Sequence, residues 1–190
     1  MNFFRILAAF LIFSVAISSC VKDPVKPKEE LNTQEMSIDM HEFNSMAFIV
    51  FDRDKNAFEA LNDSTIKDRS GQVRFIVRPQ VPGVEGKWIF SSPADPNLND
   101  YPAIQALLER PDVKLAQMPL SEYEGAKPAN QTELQRLFDG ADVVNEGYHS
   151  DPLSPDTVLL VQAPNGEVQA VKITICAEGD NWKVCITIQW

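Results

Sequence analysis

Histidine is almost missing from this chain: 190 residues contain two, His41 and His149. That leaves little of the side chain most used for acid–base work and for holding zinc. H-E-x-x-H, G-x-S-x-G and a phosphate-cradling glycine loop are all absent from the sequence, so no chemistry carried by those motifs is expected. Basic residues are also few, 17 against 27 acids for a net charge of −10. Such a surface repels phosphate backbones, and no nucleic-acid partner is expected. The longest near-continuous apolar run, Ile6 to Ile17 with Ser14 inside it, has twelve residues. At ~1.5 Å per residue it spans about 18 Å, short of a bilayer core of roughly 30 Å. Cysteine is limited to Cys20, Cys176 and Cys185.

What is present at the amino end is an address. Arg5 and the starting amine precede the short apolar run, and Ser18 and Ser19 follow it. Positive start, short greasy stretch and small residues together read as a signal peptide over residues 1–19. Ile17-Ser18-Ser19-Cys20 resembles the lipobox of bacterial lipoproteins. The resemblance implies lipidation of the Cys20 sulfur, cleavage just before it, and acylation of the new amine. Several acyl chains hold a protein on a membrane stably where one does not. Val21 stands where many Gram-negative lipoproteins retained at the inner membrane carry Asp. The resemblance therefore implies an outer-membrane lipoprotein of the bacterial envelope, facing the periplasm or the cell surface. The charged start VKDPVKPKEE is also similar to that of surface-exported lipoproteins.

From Val21 to about Glu35 the chain carries Pro24, Pro27, three lysines and four acids. With almost no apolar content this stretch builds no core. Its prolines favour an extended chain, at ~3.1 Å per residue. The expected organisation is a cleaved signal peptide (1–19), a lipid-anchored flexible tether (20–36) and one globular domain (37–190).

The last thirty-odd residues read as a three-stranded meander. Asn165-Gly166 is a strong hairpin signal, because a type I′ turn needs positive φ at both centres. Two-residue turns at Asn165-Gly166 and Asp180-Asn181 pair Leu160 with Val171, Val158 with Ile173, Ile175 with Ile186 and Ile173 with Ile188. That register gathers Val158, Leu160, Val171, Ile173, Ile175, Val184, Ile186, Ile188 and Trp190 on one face, and a slip of one residue scatters them. It sets Glu178 opposite Lys183. It also sets Cys176 opposite Cys185, where an oxidising compartment favours a disulfide.

MAFIVFD from Met46, QVRFIVRP from Gln72, GKWIF from Gly86 and VKLAQM from Val113 read as further strands. Two short helices are expected. One runs from Pro102 to before Pro111, with Ile104, Leu107 and Leu108 inward. The other is capped by Asn130 with Glu133 three residues on, ends at Gly140, and turns Leu134, Leu137 and Phe138 inward. The fold class is α+β, predominantly antiparallel β, with the C-terminal meander and two short helices packed on the sheet.

Candidate ligands for ions are thin. Asp52, Asp54, Asn56 and Asp63 occupy places one, three, five and twelve of a calcium-loop pattern, but Ala57 replaces the glycine its sharp turn requires. Met36, Met40, His41 and His149 are the residues with which a metal or a haem iron would be held; the alternation of the segment from Met36 reads equally as the start of the sheet. Ser64 and Lys67 match Ser-x-x-Lys without its companion motifs. The expected function is non-enzymatic: a membrane-anchored binding protein or envelope-complex subunit with a protein or glycan partner and no resident cofactor. Contacts are expected on the loops Pro79–Gly86 and Asp95–Tyr101, since loops on a rigid scaffold carry binding. A haem- or metal-binding lipoprotein and a hydrolase built from scattered carboxylates are the alternatives.

Overall fold

The computed structural model describes residues 30–39, 46–62, 64–79, 88–105, 110, 112–144, 148–151, 154–178 and 181–190, without the side chains of 39, 79, 103, 175–178 and 181–184. Residues 1–29, which include the expected signal peptide and Cys20, lie outside these residues, as do Met40, His41, Asp63, Leu107, Leu108 and nearly all of the loop 79–86. The strands are β1 (Thr33–Asp39), β2 (Ala47–Asp52), β3 (Ala57–Leu61), β4 (Val73–Pro79), β5 (Trp88–Ser91), β6 (Lys114–Pro119), β7 (Asp142–Val143), β8 (Thr157–Gln162), β9 (Val168–Glu178) and β10 (Asn181–Gln189). The helices are α1 (Pro102–Gln105), α2 (Leu120–Ala126) and α3 (Gln131–Gly140), with a 3-10 turn at Pro96–Leu98.

The fold is α+β and mostly antiparallel, but the strands form two sheets where one was expected. A six-stranded sheet runs β1-β10-β9-β8-β6-β7, and a four-stranded sheet runs β3-β2-β4-β5. Their facing sides bury Ile49, Phe58, Phe75, Val77 and Phe90 of the small sheet against Leu115, Leu159, Val161, Val171, Ile186 and Ile188 of the large one. The outer face of the large sheet packs on α2 and α3 through Met118, Val158, Leu160, Tyr123, Leu134 and Phe138. The outer face of the small sheet packs Phe48, Val50, Val73 and Ile76 against Ile66, Leu98 and Ile104. Both sheets are thus covered on both faces. That explains why β2 and β8 carry continuous apolar runs and not alternating ones.

The first meander turn departs from expectation by one residue. Leu159 pairs with Val171 and Leu160 with Ala170. Ala163 and Gly166 close the turn with N–H to C=O bonds, Ala163 to Glu167 and Gly166 to Ala163, each 2.8 Å. Pro164-Asn165-Gly166 is therefore a three-residue loop whose last member takes a left-handed φ of 84°, the type I turn with a bulge. The extra residue sends Val158 and Leu160 to the helices and puts Leu159 and Val161 between the sheets. The second turn is shifted by two, which keeps the faces: Ile173 pairs with Ile186 and Ile175 with Val184. Glu178 pairs with Asn181, not Lys183, and Cys176 with Lys183.

β3, β7 and α2 were not anticipated. β1, read from Met36 onward as a possible start of the sheet, begins earlier, at Thr33, and pairs along β10, so the last residues assigned to the tether belong to the sheet. β3 lies inside the supposed calcium loop. α2 sits between Pro119 and Lys127-Pro128, with Lys127 as a left-handed cap at φ 47°; a proline past the end was its available stop signal. α3 forms as its sequence indicates. The Asn130 side chain accepts from the Glu133 N–H at 3.0 Å, and Glu133 reaches back to the Ala129 N–H at 2.7 Å.

Two glutamines satisfy strand residues that no neighbouring strand reaches on one side, Phe58 on the edge strand β3 and Val168 at the start of β9, beyond the end of its pairing with β10. Gln34 of β1 donates to the Phe58 carbonyl at 2.7 Å and accepts from its N–H at 2.6 Å. Gln131 does the same for Val168, at 2.9 and 3.0 Å. Each side-chain amide stands in for a missing strand, satisfying backbone groups that an edge leaves open.

Tyr123 links α2 to the large sheet, donating to Gln189 at 2.8 Å. Burial pushes its pKa up to about 12 from an ordinary 10. A raised folded-state value stabilises the fold fully below the unfolded value. The contribution is then lost as pH rises through the folded one. Stability followed by urea titration is expected to fall from about pH 10 towards pH 12. The fall should be shallower in Tyr123→Phe.

Candidate functional site

A groove of about 760 Å³ runs between α3 and the β8–β9 turn, lined by Gln131, Glu133, Arg136, Asp139, Asn165 and Glu167 among others. A smaller recess of about 190 Å³ shares Gln131 and Glu167 with it and is completed by Glu30, Leu31, Asn32 and Trp190. The first described residues and the last therefore meet at its rim, where Asn32 and Trp190 exchange two backbone hydrogen bonds of 2.8 and 3.1 Å.

Most of the groove's side chains already have structural work. Gln131 satisfies the Val168 backbone at the start of β9, Glu133 caps α3, and Gln135 bonds both Asp139 and Gln162 at 2.8 and 2.9 Å. What the surface offers an incoming molecule is hydrogen-bonding amides and carboxylates around one guanidinium, on a rigid helix and a tight turn. Such a surface suits polar contacts with a larger partner more than enclosure of a small apolar ligand.

A second polar cluster is buried and structural. Arg78 of β4 donates to Ser91 Oγ at 2.9 Å and pairs with Asp95 at 3.4 Å, the Asp95 side chain being 0% exposed. Asp95 also accepts from the Asn97 N–H at 2.9 Å, starting the 3-10 turn. Ser150 accepts from the Phe90 N–H at 2.9 Å, and His149 bridges Ser91. The segment Tyr148–Ser150 thereby covers the outer edge of β5. Asp95–Tyr101, expected as a contact loop, is locked down at Asp95 and by buried Leu98. Only its exposed residues, such as Asn97 and Asp100, remain on offer.

The supposed calcium loop is a β-hairpin. Asp52 accepts from the N–H groups of Asp54 and Lys55 at 2.9 and 3.0 Å. Asn56 turns the chain at φ 49°, a conformation its short polar side chain tolerates. Asp52 is also paired with Lys55 at 3.4 Å and Arg69 at 3.7 Å. The Lys55 N–H above all holds its carboxyl below the ordinary value, against the opposing effect of burial. A carboxylate so compensated, followed by a strand from Ala57, lacks the twelve-residue geometry of a calcium site.

Met36 and His149 lie at opposite margins of the sandwich. Met36 pairs with Ile186 on β10, and neighbouring Gln34 reaches β3. His149 sits beside β5, at the other edge of the small sheet. Three strand spacings of about 4.8 Å separate those edges, so the two do not share one ion. The His149 ring Nδ1 lies 3.3 Å from the Ser150 carbonyl. Ser64 hydrogen-bonds Asn62 at 2.6 Å in a surface turn, and Lys67 is exposed. Among the described residues, no three His, Cys, Asp or Glu side chains converge as a metal set. Cys185 is disulfide-bonded, and the side chain of Cys176 is outside the described ones.

No protein-family signature and no curated protein matches the chain. Among solved structures, a DUF4466 family protein from Parabacteroides merdae is similar in fold, with a TM-score of 0.53 at 9% identity. The match covers 83% of this chain and 53% of the other, so this chain spans about half of that neighbour. At that identity the likeness shows the shared fold alone.

Proposed function

We propose that this chain is an envelope lipoprotein, anchored through Cys20, whose domain binds a protein or glycan partner or serves in an envelope complex. The observation that carries this is the Ile17-Ser18-Ser19-Cys20 motif behind a positive start and a twelve-residue apolar run. The fold is compatible: the sheet begins at Thr33, leaving about a dozen residues as a stalk after Cys20. The stalk would leave from the rim of the groove at α3, since Glu30 and Leu31 line its recess. The groove's exposed amides and carboxylates supply the polar contacts such a partner needs.

We also propose that Cys176 is the partner of Cys185. The register sets Cys185 opposite Thr174, which makes the pair diagonal and not face to face.

Mass spectrometry of the amino-terminal peptide from isolated envelopes tests the anchor. The expected mass is that of a peptide starting at acylated Cys20, with Met1 to Ser19 gone. Cys20→Ala is expected to abolish both acylation and cleavage. An unmodified peptide that keeps residues 1–19 would overturn the reading. Crosslinked capture from the same envelopes, with and without Arg136→Glu in the groove, tests the binding role; an unchanged set of captured species removes the groove from it.

A further inference from the structure

The large sheet has one long side that no described residue covers. β1 is its outermost strand, and Asn32 and Trp190 exchange both backbone hydrogen bonds beside it. Pairs in an antiparallel ladder alternate, so Gln34, Met36 and Ile38 direct their N–H and C=O groups at β10. Those of Thr33, Glu35, Ser37 and Asp39 point outward. Among the described residues nothing accepts or donates to them. The same strand carries Met36 and Ile38, only partly buried at the margin of the inter-sheet core. The other edges are treated differently. β5 is covered by Tyr148–Ser150, β3 is tied by Gln34, and β7 is two residues long.

We propose that the outer edge of β1 is where a second copy of this chain docks, antiparallel and two-fold symmetric, joining two six-stranded sheets into one. Side-chain charge selects the register. Outward residues must face outward residues, which leaves three close alternatives. One sets Glu35 against Glu35 of the second copy, and another sets Glu35 against Asp39; like charges directly opposite are destabilising. The third sets Glu35 against Ser37 and Thr33 against Asp39, opposes no two carboxylates, and uses all seven residues of β1. Its centre is Met36 against Met36, where the two thioethers extend the apolar margin of both cores. A seven-residue ladder is a small interface by the standard of stable complexes. Confinement of both copies on one membrane raises their effective concentration, and in that respect the inference rests on the lipid anchor proposed above.

The full chain in intact envelopes supplies the test, with mild copper-catalysed oxidation and non-reducing gels. Met36→Cys is expected to give a disulfide-linked dimer, because the central pair is of the close, non-hydrogen-bonded kind. Ser37→Pro removes only an outward N–H, which an edge strand tolerates, and is expected to abolish that dimer. Glu35→Cys alone is expected to give none, whereas Glu35→Cys coexpressed with Ser37→Cys gives a mixed dimer; this pair serves if Met36→Cys melts early. Absence of both dimers, or a Met36→Cys dimer insensitive to Ser37→Pro, overturns the proposal. The amino-terminal peptide mass is read in the same samples, so loss of the anchor and loss of the pairing are told apart.

Discussion

Replacing Arg78 with alanine is expected to cost about 3–5 kcal/mol of folding stability, read as a lowered urea midpoint. Asp95 is 0% exposed, and Arg78 is the cation paired with it. Truncating the guanidinium leaves a carboxylate away from water without its counter-charge, and it also deprives Ser91 Oγ of a 2.9 Å donor. The penalty of an orphaned buried charge is larger than the net worth of the intact pair. The double variant Arg78→Met with Asp95→Asn is therefore expected to be more stable than Arg78→Ala alone. Asparagine keeps an acceptor for the Asn97 N–H, and neither new side chain is ionised. A double variant no better than the single one would show that the pair's charge is not what matters there.

Phe75→Ala is expected to have a comparable effect, about 3–5 kcal/mol, from lost burial and the cavity left behind. Phe75 is fully buried between the sheets. Its ring meets Phe90 edge-on at 5.1 Å between centroids and lies 6.4 Å from Phe58. Phe58 in turn packs against Trp190 at 5.0 Å, so the hole opens in the middle of an aromatic row that joins the two sheets. Val143→Ala is the matched control. Val143 is 61% exposed, and a surface truncation of that kind is expected to stay within about 0.5 kcal/mol. Equal effects at the two positions would contradict the placement of the core.

Local chemistry was readable where local chemistry decides the structure. Asn130 and Glu133 announce the start of α3, and the β-branched and aromatic runs announce β2, β4, β5, β6 and the meander. The number of sheets was not readable. A run such as Val158–Val161 says that both faces are buried, but not whether the cover is a helix or another sheet. The register at the first meander turn failed for a reason one residue wide. Asn-Gly suits a two-residue loop and also the end of a three-residue one, and Pro164 belongs to the second kind. Arg74 is a similar case: the β2–β4 pairing skips it, matching Ile49 with Phe75 and Val50 with Val73. That bulge lets Val73 and Phe75 serve opposite faces although they are two apart. The groove at α3 and the recess beside it had no linear signature at all, because their walls together come from residues near 30, 131, 167 and 190 that only the fold assembles.

The pairing of β1 with β10 has a consequence for how the molecule is made. Thr33 and Gln189 are bonded across 156 positions of chain, and synthesis delivers the first long before the second. Until the closing hairpin emerges, the opening strand has no neighbour in its own sheet, and non-local ladders of this kind are slow to form. A chain halted before Val184 would strand it permanently. Its acids and hydroxyls, Glu35, Ser37 and Asp39, keep that waiting segment in water instead of in an aggregate.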